Sequence, residues 1–294
     1  GESHKSAINC MPLMELRRWQ YCDTPHHLGM PELPEVEDAA RRLRTAIVGK
    51  TVLSAQSLHP SIARSLTQPA CSGLVARRAE EVARRGKIQL VRFDDGRLLE
   101  VHFRMTGDWA IGRDPEPPPT LERARFVFDD GTRVSYVDGR AFGVLRVHQP
   151  GAFRMPELGP EPLDESFDAA ALAVALRTRR GPIKPVLLDQ RVVAGLGNIY
   201  AAEALWEAGI RPDAPANRIS RARVARLRDA IRLVLQHADG SRYFERDATS
   251  PERPQVDNWR VYDREGEPCR RCSSRIARIV QSGRSTYSCR NCQR

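Results

Sequence analysis

The chain has 294 residues, of which 41% are hydrophobic, enough to bury the cores of two domains. Lys and Arg total 47 against 37 Asp and Glu, and the net charge of +10 favours a polyanionic partner without naming one. No apolar run approaches membrane-spanning length and residues 1–29 lack the apolar block of a signal peptide, which argues against membrane and secreted classes and leaves a cytoplasmic protein as the expectation.

A helix is expected just after Met30. Pro34 suits a first helical turn, and Glu35, Glu37 and Asp38 complement the positive end of the helix dipole. Val36, Ala40, Leu43 and Ile47 share one face, and Gly49 can end the helix. From Thr51 to about Val147 the pattern changes to strands. "IQLVRFDDGRLLEVHF", "RARFVFDDGTRVSYVDG" and "AFGVLRVH" alternate or run apolar, with Asp-Asp-Gly turns between neighbours. Such a set predicts a β-sandwich or barrel, and "RDPEPPPT" at 113–120 reads as a loop. The Pro- and Gly-rich stretch 149–166 predicts a linker.

Beyond it the pattern is helical. Ser166 can cap a helix running through Arg177, and a second helix is expected from about Asn198 to Ala208. "SRARVARLRDAIRLVLQHA" at 220–238 has Ser220 as a cap and Val224, Leu227, Ile231 and Leu235 as a buried stripe. Its five arginines could face nucleic acid, although an exposed charged helix face is usually only solvated.

Two Cys-x-x-Cys pairs, Cys269/Cys272 and Cys289/Cys292, stand 16 residues apart near the end of the chain. Four thiolates in close pairs match tetrahedral zinc with no position left for a substrate water, so one structural Zn2+ is expected. The segment is too short to bury a core, and metal binding would supply its folding energy. A β-hairpin turning near Ser282-Gly283-Arg284 should lie between the pairs, and the stretch from Cys269 onward has seven arginines and no acidic residue. A rigid cationic hairpin suits phosphate contact.

Gly195-x-Gly197 invites a dinucleotide-binding reading. Position 200 is Tyr where a third glycine is required, and no βαβ unit surrounds the motif, so no nucleotide cofactor is expected. The glycines instead suggest a tight turn with Asn198 opening a helix, whose N–H groups could hold a phosphate. At the front of the chain, "MPELPEVEDAARRL" raises a different chemistry. Taken alone, Pro31 and Pro34 punctuate a helix start. As a chain terminus, Pro31 would be a secondary amine with a pKa of roughly 8, able to attack a sugar C1′ and give an iminium ion, with Glu32 beside it to move protons.

"MPELPEVEDAARRL", "ARRGKIQLV", "HFRMTG", "VDGRAFG", "IKPVLLDQRVVAGLGNIYAAEALWEAGIRPD" and "VYDREGEPCRRC…GRSTYSCRNCQR" together resemble, in order, segments of the formamidopyrimidine-DNA glycosylase and endonuclease VIII family. Leu33, the "IKPVLLDQRVVAGLGNIY" block and the cysteine pairs favour the formamidopyrimidine branch. The resemblance implies an α+β fold: an N-terminal helix plus β-sandwich over 30–150, a helix-two-turn-helix DNA-binding domain over 160–262, and a zinc-finger hairpin over 263–294. Residues 1–29 become an extension that is not expected in the mature protein.

It implies that Met30 is removed and Pro31 is the nucleophile, Glu32 the general acid and base, and Glu35 a supporting carboxyl. Lys87 takes the β-elimination role and Arg284 the δ-elimination role. Asn198, Arg123, Lys184 and Arg180 become DNA contacts, and Met105, Arg140 and Phe142 fill the gap left by an extruded base. The implied function is a monomeric bifunctional glycosylase and abasic-site lyase that removes oxidised bases from damaged double-stranded DNA. The alternative is a catalytically impaired damaged-DNA-binding protein. Ala141, which lacks an arginine, the divergent 239–259 segment, where relatives carry a lesion-recognition loop, and the amide-blocked Pro31 motivate it, and Arg104 stands where the family often has glycine.

Overall fold

The structure is a computed structural model that describes residues 31–239 and 259–294; the expected extension and nearly all of the divergent 239–259 segment lie outside the described residues. Helix α1, Leu33–Ile47, opens the described chain. Its Val36, Ala39, Ala40, Leu43 and Ile47 enter one hydrophobic core, whereas Leu33 at its start enters a second. The helix therefore joins two cores at its first turn.

The first core lies between two antiparallel sheets, the expected sandwich. Strand β1, Val52–Ser57, is followed by two short helices, α2 at Pro60–Ala63 and α3 at Gln68–Leu74. Then come β2 Ala79–Arg85, β3 Ile88–Phe93, β4 Leu98–His102, β5 Gly107–Arg113, β6 Glu122–Phe128, β7 Thr132–Asp138 and β8 Val144–His148. One sheet has the order β1-β6-β7-β5 and the other β2-β3-β4-β8. Aromatic rings fill the space: Trp109 meets Phe103, Phe126 and Tyr136 edge-on at 5.6–6.4 Å between centroids. Helices α2 and α3 depart from the all-strand expectation. Each starts with a side-chain cap, His59 Nδ1 accepting from Ser61 N at 3.2 Å and Thr67 Oγ1 from Ala70 N at 3.4 Å, and each has proline in its first turn.

The second core is helical, built from α4 Ala169–Arg177, α5 Ile183–Leu187, α6 Asn198–Glu207 and α7 Arg221–Asp239. The cap of α4 is Asp168 and not Ser166: its Oδ1 accepts from Ala171 N at 2.6 Å. Phe167 lies between the two and is fully buried, so the chain must finish inserting that ring before the helix can begin. Val224, Leu227, Ile231 and Leu235 of α7 are buried as expected. Its arginines have mixed fates. Arg223 donates to the Gly209 and Arg294 carbonyls, Arg232 to the Asp164 carbonyl, and Arg228 pairs with Asp229, while Arg221 and Arg226 are exposed.

The stretch expected as a linker is firmly held. Glu161 is buried, and its carboxylate accepts from Gly86 N at 2.6 Å, Arg84 at 2.8 Å and Arg85 at 2.8 Å. It thereby fixes the β2–β3 turn to the helical unit, and burial of its charge is outweighed by these donors, which hold the carboxyl below its ordinary range. At the C-terminus, β9 Ala277–Gln281 and β10 Arg284–Ser288 form the expected hairpin, turning at Ser282-Gly283. A small core of Ala202, Trp206, Val261, Ile276 and Tyr287 seats it on α6. Buried Glu203 of α6 reinforces this by accepting the N–H groups of Arg260, Val261 and Tyr262 at 2.7–2.9 Å. Among the described residues, no helix is long and apolar enough to cross a membrane.

Candidate active site

The site forms where the two cores meet. Leu33 N donates to the Gly195 carbonyl at 3.1 Å, bringing the start of α1 onto the turn that precedes α6. Buried Glu32 then lies against the N-terminus of α6. Its Oε1 accepts from Ile199 N at 2.8 Å and its Oε2 from Tyr200 N at 3.3 Å. The helix N-terminus that could hold a phosphate receives the protein's own Glu32 carboxyl group, because those N–H groups point inward at α1.

The glycine pair now has a physical explanation. Gly195 has φ +78°, and a Cβ on it would lie 2.7 Å from Leu33 Cδ1. At Gly197 a Cβ would lie 2.3 Å from Glu32 Cδ. Both positions are bare so that Glu32 and Leu33 can dock.

Glu35 closes the pair. Its Oε2 accepts from Glu32 N at 2.7 Å and its Oε1 from the Tyr200 hydroxyl at 2.8 Å. Burial pushes the Glu35 carboxyl up to about 7, helped by the Glu32 charge beside it and opposed by the Tyr200 hydroxyl. Burial also raises Glu32, against the opposing pull of Lys87 and the helix N–H groups. Lys87 sits in the β2–β3 turn that Glu161 fixes. Burial lowers its pKa, the Glu32 and Glu35 charges oppose that, and the Arg284 guanidinium adds to it. Two carboxyls and an amine thus share one poorly solvated space, each shifted toward neutral pH, an arrangement suited to proton transfer.

The sequence-derived candidates do not all gather here. Pro31, Glu32, Glu35 and Asn198 meet at the junction, with Lys87 and Arg284 close enough for their charges to act on one another. Asn198 Oδ1 accepts from Lys184 Nζ at 2.7 Å, and its Nδ2 donates to the Ser285 carbonyl at 3.1 Å. Lys184, expected as a DNA contact, is 1% exposed. Its ammonium donates to Asn198 Oδ1, to the Ser285 carbonyl at 2.9 Å and to Thr286 Oγ1 at 2.9 Å. All three of its hydrogens are used, so it braces the hairpin against α5 and α6 and leaves no donor for DNA. Burial draws its pKa down to about 8.

Arg180 is exposed, and Arg123 spends one donor on the Asp138 carbonyl at 2.8 Å. Met105, Arg140 and Phe142 lie on two linked turns of the sandwich, with Phe142 54% exposed and the Arg140 guanidinium 4.8 Å from its ring centroid. Sequence reasoning missed Tyr200 and Tyr262. Tyr262 hydrogen-bonds the Asn198 side chain, and burial, outweighing that bond, raises its pKa. No local pattern marked either residue, since each is defined by a partner far away in the chain.

The four cysteine sulfurs lie within 4.8 Å of one another. Sulfurs on a tetrahedral zinc with bonds of about 2.3 Å would be just under ~4 Å apart, so the cluster fits that ion. Trp206 Nε1 and Arg271 N both approach Cys269 Sγ, at 3.4 and 3.5 Å, and would stabilise a thiolate there.

Comparison with known proteins agrees with this geometry. Residues 30–145 match the formamidopyrimidine-DNA glycosylase N-terminal domain, 158–242 the formamidopyrimidine-DNA glycosylase H2TH domain, and 266–294 the zinc finger found in FPG and IleRS. The formamidopyrimidine-DNA glycosylase of Chloroflexus aggregans is 41% identical over 273 residues, spanning 90% of this chain and 98% of that protein. That of Paracoccus denitrificans is 39% identical over 280 residues, spanning 90% and 100%. The Lactococcus lactis enzyme bound non-covalently to abasic-site DNA superposes with a TM-score of 0.79 at 31% identity, covering 89% of this chain and 99% of that one. Its complex with DNA containing a formamidopyrimidine lesion gives 0.80 at 31% identity, with the same coverage. Relatives named as DNA glycosylases at about 40% identity over nearly their whole length place the chain in that class of enzyme. The chain belongs to the formamidopyrimidine-DNA glycosylase family. Its cysteine cluster is the structural zinc site of that family's finger.

Proposed function

We propose that this chain is a bifunctional glycosylase and abasic-site lyase that removes oxidised purines, formamidopyrimidines and oxidised guanine, from double-stranded DNA. It acts as a monomer at the bacterial nucleoid, without a nucleotide cofactor. The observation that carries this reading is the docking of buried Glu32 on the N-terminus of α6, with Glu35 and Lys87 beside it.

The chemistry requires Pro31 nitrogen to be a free secondary amine, hence a chain that begins at Pro31. That nitrogen attacks C1′ and the C1′–base bond breaks, with Glu32 giving a proton to the departing base. Glu32 then takes the proton from the Pro31 nitrogen and passes it to O4′ as the C1′–O4′ bond opens, and the iminium formed by this ring opening draws electrons from C2′. Loss of the C2′ proton then expels the 3′ phosphate, a step in which Lys87, with its lowered pKa, can serve as base. Arg284 on the hairpin turn supports the second elimination, Asn198 and Arg123 hold the backbone, and exposed Arg180 adds a flanking contact. Met105, Arg140 and Phe142 occupy the gap left by the extruded base; an Arg140 guanidinium already resting on the Phe142 ring supports this.

The test is borohydride trapping on a duplex holding an abasic site. A chain beginning at Pro31 should give a covalent protein–DNA adduct, and the 294-residue chain should give none. No adduct from the shorter chain would sink the proposal. Glu32→Gln in the shorter chain should slow base excision by roughly 10²–10⁴-fold and leave duplex binding intact; equal loss of both would remove Glu32 from its role. The second reading, a damaged-DNA-binding protein without catalysis, is favoured by one observation: in the sequence as written the Pro31 nitrogen is an amide to Met30. Strand nicking by the shorter chain excludes that reading as an intrinsic property.

A further inference from the structure

The turn that presents Met105 carries a cation with no role so far. Arg104 has φ +59°, a left-handed conformation that residues with a Cβ disfavour. Its side chain is exposed and makes no hydrogen bond or ion pair among the described residues. The turn itself is fixed without it. Gly107 N donates to the Phe103 carbonyl at 3.3 Å, and Arg104 N donates to His102 Nδ1 at 3.1 Å. Burial, together with the Arg104 and Lys87 charges, pulls His102 down to about 4, so its ring stays neutral and Nδ1 remains an acceptor.

The same turn is tied to the loop carrying Arg140 and Phe142. The Thr106 hydroxyl donates to the Asp138 carboxylate, which also accepts from Arg140 N at 3.1 Å and Gly143 N at 2.9 Å. The two turns therefore move as one body. Ala141 is the second left-handed residue in this body, with φ +51°, but it is buried and apolar. Among the described residues, only at Arg104 does a disfavoured backbone conformation display an unspent charge. Glycine would make the turn more readily, so the side chain has to act outside the fold.

We infer that Arg104 is a DNA-contact residue whose guanidinium takes a backbone phosphate beside the base displaced by Met105, holding the wedge turn against the duplex. A phosphate is the fitting partner. The duplex carries about one charge per 1.7 Å of its axis, and a guanidinium fork can grip two phosphate oxygens at once. The inference rests on Met105, Arg140 and Phe142 as the gap-filling residues.

The test compares the wild-type chain, Arg104→Gly and Arg104→Lys, all beginning at Pro31, for binding to an abasic-site duplex across a salt series. Arg104→Gly should weaken binding roughly tenfold at low salt and flatten the log–log salt slope by about 0.9, the share of one phosphate. Its melting temperature should be unchanged or higher, because the left-handed strain is gone. Arg104→Lys keeps the charge and should keep the slope. Unchanged affinity and slope in Arg104→Gly, beside a wild-type chain that binds normally, would overturn the inference and leave the glycosylase reading standing. A wild-type chain that fails to bind the duplex would overturn both.

Discussion

Gly197→Ala is expected to slow base excision by a chain beginning at Pro31 on the order of 100-fold and to lower its stability by about 3 kcal/mol. The backbone at Gly197 is not the reason. Its φ of −131° and ψ of −163° are extended and open to alanine. The obstacle is the added methyl, which would lie 2.3 Å from Glu32 Cδ and 2.5 Å from its Oε1. Neither side can yield cheaply. Glu32 is buried and bonded to Ile199 N and Tyr200 N, and Leu33 beside it is pinned to the Gly195 carbonyl. Moving Glu32 away leaves two helix N–H groups and a carboxylate without partners, at roughly 1–3 kcal/mol for each buried group. Displacement by one ångström also takes the proton donor out of line with the sugar, costing on the order of 100-fold in rate. Gly283→Ala is the control. Gly283 has φ +73° but nothing within 4 Å of its would-be Cβ, so only backbone strain of about 1 kcal/mol is expected. Melting curves and single-turnover excision on both variants check the prediction. Near-normal excision by Gly197→Ala would mean that the close approach of Glu32 to α6 is not needed for catalysis.

That seat was only half legible in the sequence. Gly195-x-Gly197 before Asn198 reads correctly as a turn opening a helix, because φ > 0 and close approach are what glycine supplies. Which anion the helix receives depends on a chain segment 165 residues or more away, and no local pattern encodes it. Lys184 failed for a related reason. A lysine in "IKPVLLDQ" looks solvated, yet the zinc hairpin returns over it and offers the Ser285 carbonyl and Thr286 hydroxyl. By contrast, the cysteines, the hairpin turn at Ser282-Gly283 and the α7 stripe were readable, since spacing alone fixes ligand geometry, turn chemistry and helical faces. Caps fell in between. Asp168 displaced Ser166 because a buried phenylalanine separated two equally good capping residues.

The dependence of the hairpin on its metal gives the second large effect. In Cys289→Ser the metal loses one of four thiolates at a fully buried position, and the chain is expected to release its zinc and lose about 100-fold in duplex affinity. The hairpin has little else to hold it. Its own share of the small core is Ile276 and Tyr287, and Val280 is 68% exposed. Without the metal, the strands Ala277–Gln281 and Arg284–Ser288 lose their fixed relation, and Arg284 is no longer held toward Lys87. The damage should spread inward through Lys184. Losing the Ser285 carbonyl and Thr286 hydroxyl would open the Lys184 ammonium to water, with Asn198 as its remaining protein acceptor. The pKa of Lys184, drawn down to about 8 by burial, should then rise toward that of a free lysine, so the stability that the intact protein loses as pH falls from the unfolded-state lysine pKa toward 8 should no longer be lost in the variant. Zinc content per chain, binding titrations over a salt series and melting curves at two pH values check the sequence of events. Full affinity in a zinc-free Cys289→Ser chain would separate the metal from the DNA grip. Lost affinity with the Lys184 contacts intact by proton exchange would limit the damage to the hairpin itself.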